Sequence, residues 1–229
     1  MGNTAVAADS VQLLRDRVEQ LQGRRMDAPV LPAHPALAGL LPGRGLRSGS
    51  AYSLGRSMSL LFALLAPPSQ DGSWCGVVGM PGFGVEAAAH AGVELSRLVL
   101  VPEPDQRWLT VTATLADVLP VVAVRPPARA RDADISRLAA RMRERGSVLL
   151  VQGPWPQAEA MIDVAEARWS GLGDGHGLLS ERELTVTVSS RRLPVPRAAR
   201  LLLPAPDGGV ETAVRERHER MPAPLRAVG

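Results

Sequence analysis

Between residues 51 and 152, short apolar runs alternate with longer stretches of helical periodicity. The runs are AYSL (51–54), WCGVVGM (74–80), RLVLV (97–101), PVVAV (120–124) and SVLLVQ (147–152). They are apolar at nearly every position, which is the signature of strands covered on both faces. The stretches between them predict helices: SMSLLFALLA (57–66), GVEAAAHAG (84–92), DQRWLTVTATLADVL (105–119) and ADISRLAARMRERG (133–146). Strand and helix in regular alternation predict a mostly parallel α/β sheet joined by right-handed crossovers.

The pattern changes after residue 152. AEAMIDVAEARW (158–169) fits either element: Met161, Ile162, Ala165 and Trp169 suit a helix, but a strand is equally compatible with the end of the βαβ alternation. GLGDGHG (171–177) reads as a flexible turn, because a glycine-rich phosphate loop should open a helix and this one leads into a strand. ELTVTVSS (183–190) alternates cleanly, as a half-buried strand does, and RAARLLLP (197–204) is its hairpin partner. At the other end of the chain, DSVQLLRDRVEQLQ (9–22) predicts a helix capped by Asp9 or Ser10 and ended by Gly23. Its Val11, Leu14, Val18 and Leu21 form a narrow stripe at heptad spacing, which either packs on its own domain or docks a partner or a neighbouring copy. The expected division is an N-terminal helix (1–26), a Pro- and Gly-rich linker and turn region (27–50), an α/β core with a C-terminal hairpin (51–206) and a charged tail (207–229). A short exposed helix is expected near 210–220 within that tail.

Composition narrows the chemistry. The 229 residues are 45% hydrophobic and carry a net charge of +3, enough for one sizeable core and far from a disordered polyelectrolyte. All 26 basic residues are arginine, so chemistry that depends on lysine is excluded, Schiff bases and the phosphate-loop lysine included. A pI of about 10.2 permits contact with nucleic acid without demanding it. Cys75 is the single cysteine and sits in an apolar run, as a small core residue would. His34, His90, His176 and His218 are scattered without metal-ligand spacing, so neither a metal nor a cofactor is expected. The first residues lack the pattern of a signal peptide, and no apolar run approaches the roughly 20 residues of a membrane span. A cytoplasmic protein without membrane contact is therefore expected.

One stretch raises a specific chemical question. AYSLGRSMSLLFALLA (51–66) has the strand, turn and helix of a nucleotide-binding loop. Such a loop needs backbone amides to cradle phosphates, a lysine to reach the outer ones and a hydroxyl on Mg²⁺. Aligned on the helix, the lysine position falls near Ser57, the hydroxyl position near Met58 and the preceding glycine near Arg56. Only Gly55 remains of the glycines, and Gly55, Arg56, Ser57, Met58 and Ser59 together read as a degenerate nucleotide loop. The strand PVVAV, best placed to carry a metal-binding carboxylate, ends instead in Arg125, a cation that would repel Mg²⁺. Three simultaneous losses predict a chain that does not hydrolyse nucleotides in this way. No GxSxG elbow offers a different catalytic route.

Arginine clusters give the remaining surface candidates. Arg191 and Arg192 end one arm of the predicted hairpin, and Arg197 and Arg200 begin the other, where they could contact phosphates or simply be solvated. Arg137, Arg141 and Arg145 recur every four residues, the spacing of the wet side of a crossover helix.

The segments LAGLLPGRGLRSGSAYSLG, SLLFALLA, WCGVVGMPGFGVEAAAHAGVELSRLVLVPEP, VVAVRPP, RLAARMRERGSVLLVQGPWP and WSGLGDGHG together resemble actinobacterial RecA-like proteins of the ImuA-prime type, accessory components of the DNA-damage-induced mutasome. The resemblance covers most of residues 37 to 204. It implies a RecA-like core with an altered nucleotide loop. It also implies an ImuB-type Y-family-like protein as direct partner and, indirectly, an error-prone C-family DNA polymerase. The expected function is then a non-catalytic adaptor for mutagenic translesion synthesis, gathered at the nucleoid on DNA damage. RecA docks its neighbour through an N-terminal helix, a role that residues 11 to 21 could retain toward a partner. Ser57, Met58 and Arg125 depart from the RecA pattern, which puts ATP-driven filament assembly in doubt. Two alternatives stay open: a nucleotide-binding or weakly hydrolysing paralogue that contacts phosphate through Arg56, and a protein that binds single-stranded DNA directly.

Overall fold

The computed structural model describes residues 29–173 and 176–213. The docking stripe Val11, Leu14, Val18 and Leu21 lies outside the described residues. The described residues begin with a short strand β1 (Val30–Leu31), a single helical turn α1 (Pro35–Ala38) and β2 (Leu46–Arg47), which pairs antiparallel with β1. Then follow β3 (Ala51–Leu54), α2 (Met58–Gln70), β4 (Cys75–Val78), α3 (Val85–His90), β5 (Leu98–Val101), α4 (Trp108–Ala116), β6 (Val121–Val124), α5 (Asp132–Arg145) and β7 (Val148–Gln152). The chain closes with β8 (Ala160–Gly173), β9 (His176–Ser189), β10 (Arg197–Leu202) and β11 (Glu211–Thr212).

One sheet organises the molecule, in the order β11-β10-β9-β8-β3-β7-β6-β4-β5. The six strands from β8 to β5 run parallel, and β8 to β11 pair antiparallel in succession. The predicted architecture therefore holds: a mostly parallel sheet flanked by helices, with a C-terminal antiparallel hairpin.

Side-chain alternation explains why the central strands read as unbroken apolar runs. Tyr52, Val77, Ala123 and Leu150 point to one face, against Leu60, Leu61, Leu64 and Leu65 of α2. Val78, Val122, Leu149 and Val151 point to the other, against Trp108 of α4 and Ile135, Leu138 and Met142 of α5. Both faces are dry, so the central strands carry few polar positions, Ser53 and Gln152 among them. The helices obey the same logic. α2 is surrounded on nearly all sides and is apolar from Leu60 to Pro68, whereas α5 buries only the stripe Ile135, Leu138 and Met142. α5 stops at Gly146, whose left-handed conformation (φ 71°) directs its N–H back to the Met142 carbonyl.

The structure corrects the sequence reading in several places. Residues 27–50 are not simply a linker: Leu37, Leu40, Leu41 and Leu46 are buried in the α2-side core. The glycines and prolines there turn the chain tightly, and the leucines between them anchor each turn. α2 continues past Ala66 through Pro67 and Pro68, where Ser69 Oγ donates to the Ala66 carbonyl at 2.8 Å. The segment 105–119 divides into a 3₁₀ turn (Asp105–Arg107) and α4. The ambiguous segment 158–169 is strand from Ala160 onward, within the 14-residue β8. Residues 211–212 pair with β10 rather than opening a helix, and the rest of the helix expected near 210–220 lies outside the described residues from 214 onward. The glycine-rich turn lies between β8 and β9, with its tip at 174–175 also outside them.

Candidate functional site

The turn from β3 to α2 is three residues long: Gly55, Arg56 and Ser57. Ser57 is the N-cap of α2, and its Oγ accepts from the Leu60 amide at 3.3 Å. This is ordinary helix capping, and it occupies with the chain's own hydroxyl an amide of the kind a phosphate would use. Ser59 Oγ stands 3.4 Å from Ser57 Oγ. The Gly55 amide donates to the Ile162 carbonyl at 3.0 Å, so the turn is fastened to β8. A Cβ at Gly55 would lie 3.2 Å from Asp163 Oδ1, which places a carboxylate against the turn where a bound phosphate would meet like charge. Arg56 is exposed.

Arg125 leaves the carboxyl end of β6 and turns inward. Its Nε and Nη2 both donate to Gln152 Oε1, at 2.9 and 2.6 Å, and Nη2 also lies 3.6 Å from Met58 Sδ. Gln152 Nε2 closes the triangle at 3.4 Å from the same sulfur. The cluster joins the ends of β6 and β7 to the first residue of α2. It brings together Arg125 and Met58, two residues at which the sequence departs from a nucleotide-binding pattern. A backbone constraint holds it there. Gly79, just beyond β4, has φ 74°, and a Cβ on it would approach the Arg125 carbonyl to 2.7 Å. Only glycine lets these two strand ends come so close.

Arg182 completes this end of the molecule, and sequence reading missed it. It comes from β9, opposite Trp169 of β8, and its guanidinium lies 5.5 Å from the Trp169 ring centroid. Nη2 reaches Ser57 Oγ at 3.3 Å. Burial lowers the Arg182 pKa from its usual value. The strand pairing that brings Arg182 to Ser57 spans 125 residues of sequence, so no local motif announces it. Beside the cluster, a cleft of about 500 Å³ opens between Pro126, Ile135, Gln152, Trp155 and Met161.

The four hairpin arginines do not form one group. Arg197 Nη1 donates to the Gly39 carbonyl at 3.1 Å, and Arg200 pairs with Glu183 (3.5 Å) and Glu166 (4.0 Å). Arg191 and Arg192 lie instead at the opposite end of the sheet from the β3–α2 turn. There they border a second cleft, of about 750 Å³, together with Arg47 and Arg143. Arg192 Nε bonds Glu159 Oε1 at 2.7 Å. Tyr52 lies under this cleft; its hydroxyl accepts from the Arg47 amide at 2.8 Å, and burial pushes its pKa up to about 12. Of the regularly spaced arginines on α5, Arg137 pairs with Asp134 (3.2 Å), while Arg141 and Arg145 converge on Asp117 (2.7 and 3.8 Å). Cys75 is buried in the core, and its thiol is pushed up to about 12 by that burial.

Among the described residues, no group of His, Cys, Asp and Glu is arranged to hold a metal ion. Nor is any described helix long and apolar enough to cross a membrane.

Comparison with known proteins agrees with this architecture. The crystal structure of the RadB recombinase superposes with a TM-score of 0.59 at 16% identity, covering 78% of this chain and 97% of that one. That likeness shows a RecA-like fold. The uncharacterized protein Rv3395c of Mycobacterium tuberculosis is 32% identical over 163 residues, 66% of this chain and 78% of its own length. The family described as the MT3502 N-terminal domain matches residues 39–157, from the buried leucines before β2 to the loop after β7. With just over half of its length matched, the chain belongs to the MT3502 N-terminal domain family.

Proposed function

We propose that this chain is a non-catalytic RecA-like adaptor of the ImuA-prime type in a DNA-damage-induced mutasome. It brings an ImuB-type Y-family-like protein, and through it an error-prone C-family polymerase, to damaged DNA. The observation that carries the reading is the Arg125–Gln152–Met58 cluster at the end of β6 and β7. A RecA-type nucleotide site needs a lysine, a hydroxyl and a metal carboxylate in this place. Here an arginine bonded to glutamine and thioether stands at that position, in a chain that has no lysine at all. A fold kept in this form, without the phosphate grip, serves best as a scaffold for protein contacts. Co-purification from DNA-damaged cells tests the reading: an ImuB-type protein is expected among the bound chains, and its reproducible absence overturns the adaptor role. Leu14→Glu with Val18→Glu should abolish that capture if residues 11 to 21 form the docking stripe.

One observation favours a second reading. Arg56 is exposed in the turn just before α2, where its guanidinium is free to meet a phosphate bidentately. Micromolar ATP binding that is lost on Arg56→Ala would replace the adaptor reading with that of a nucleotide-binding paralogue.

A further inference from the structure

The amino ends of the parallel strands carry a second, oppositely built feature. Arg47 closes β2, Arg143 lies on the last turns of α5, and Arg191 and Arg192 follow β9. All four border the cleft of about 750 Å³. Its inner wall is apolar, formed by Ala51, Met142 and Trp155. Glu159 is the one carboxylate on the lining; it is only 15% exposed and is held by Arg192. Arg47, Arg143 and Arg191 form no ion pair or side-chain hydrogen bond with any described residue. Arg129, Arg137, Arg141, Arg145 and Arg200, by contrast, each have a carboxylate.

The cleft is preorganised by backbone constraints. Gly49 has φ 74°, and a Cβ there would lie 3.0 Å from the Arg143 Cα, so the turn before β3 touches α5 closely. The Tyr52 hydroxyl fixes the Arg47 amide from below. Ser190 Oγ donates to the Glu159 carbonyl at 2.6 Å and accepts from the Arg192 amide at 3.1 Å, which ties the hairpin tip to the start of β8. Such anchoring lowers the ordering cost of binding.

We propose that this cleft binds an acidic peptide segment of a partner protein, one that alternates carboxylates with small apolar side chains. Guanidinium forks match carboxylates bidentately, and the apolar wall between them fits the intervening side chains. Nucleic acid fits less well. Single strands are held largely by stacking bases on exposed aromatic rings. The exposed aromatic side chains of the described residues, Trp74 and Trp169, lie outside the cleft lining, and its own Trp155 is buried. The inference deepens the adaptor reading and depends on it only for the nature of the chain that carries the peptide.

The test is fluorescence anisotropy of the full chain with three labelled probes of equal length. These are a peptide alternating Glu and Asp with Leu and Ala, the same peptide with Gln and Asn in place of the acids, and oligo-dT. Only the acidic peptide should bind, and less tightly as salt is raised. Arg143→Gln and Arg191→Gln should each weaken it by roughly tenfold. Arg129→Gln, at the other end of the sheet, should leave it unchanged, and thermal unfolding of all three variants should match the parent. No binding of the acidic peptide, binding unaffected by Arg143→Gln and Arg191→Gln, or oligo-dT binding as tight as the peptide's would each overturn the proposal. Co-purification with an ImuB-type protein is read separately, so loss of peptide binding with retained capture removes the cleft and leaves the adaptor reading standing.

Discussion

The two ends of the parallel sheet hold arginine in opposite ways. At the carboxyl end, Arg125 bonds inward to Gln152 and lies against Met58, joining β6, β7 and α2. At the amino end, Arg47, Arg143 and Arg191 surround an open cleft without any described acceptor. The same residue type is structural in one place and accessible in the other. The difference follows from geometry: strand ends pinned by Gly79 crowd the first cation among neighbours, whereas the second group stands on three separate segments around a concavity. In a RecA-like fold this reverses the usual expectation, since the carboxyl end of the strands is where ligands ordinarily enter an α/β sheet.

The largest effect should come from Gly79→Ala, which forces a side chain into a left-handed backbone and against the Arg125 carbonyl. A loss of about 2 kcal/mol or more is expected in chemical denaturation. A result near zero would mean that the strand ends are not held together as described. Next comes Gln152→Leu, which leaves the half-buried Arg125 guanidinium without its acceptor and should cost about 1–3 kcal/mol. Adding Arg125→Met should restore much of that loss, and a double-mutant cycle reads the coupling directly. Additive losses would separate the two side chains energetically and dissolve the cluster.

A smaller, pH-dependent effect is expected in the segment before β3. His34 caps α1, its Nδ1 accepting from the Ala36 amide at 3.3 Å. Burial holds its pKa below 6.5, an effect partly offset by Asp207. The neutral form is thus the folded form, and its contribution is complete above pH 6.5, the value for an unperturbed imidazole. It is lost as pH falls from there through the lower folded value, because the unfolded chain takes up the proton first. His34→Asn keeps a capping acceptor and should flatten that acid limb in a pH series of thermal unfolding. The smallest stability effect belongs to the amino-end cleft: Arg143→Gln should change stability by less than about 0.5 kcal/mol. The contrast between the two ends would fail if Arg143→Gln proved as costly as Gln152→Leu.

Much of the fold is legible in the residue pattern, and the reasons are local. Leu184, Val186 and Val188 are buried, while Thr185 and Thr187 between them are only partly so, because β9 is covered on one face. That is why ELTVTVSS reads as a strand. β8 hides its identity for the converse reason. Ile162 is buried, but Met161 and Trp169 are about half exposed on a bulged strand, so apolar residues fall on both faces and mimic a helical stripe. The core role of residues 37–46 was masked by the glycines and prolines that separate the buried leucines. At the candidate sites, the departures at Ser57, Met58 and Arg125 from a nucleotide-loop pattern were visible in sequence, but the contacts these side chains make were not. Gln152 is 27 residues from Arg125 and Met58 is 67, and only the sheet order brings them together. The amino-end cleft draws on four separate segments, and the hairpin arginines, close together in sequence, divide between it and the partners of β10.

The adaptor reading requires that the β3–α2 turn keep its structure without a phosphate grip. Equilibrium titration of the full chain with fluorescent ATP and Mg²⁺ tests it most directly. No saturable binding is expected into the low-millimolar range, with or without Arg56→Ala. Saturable micromolar binding that disappears with Arg56→Ala would contradict it.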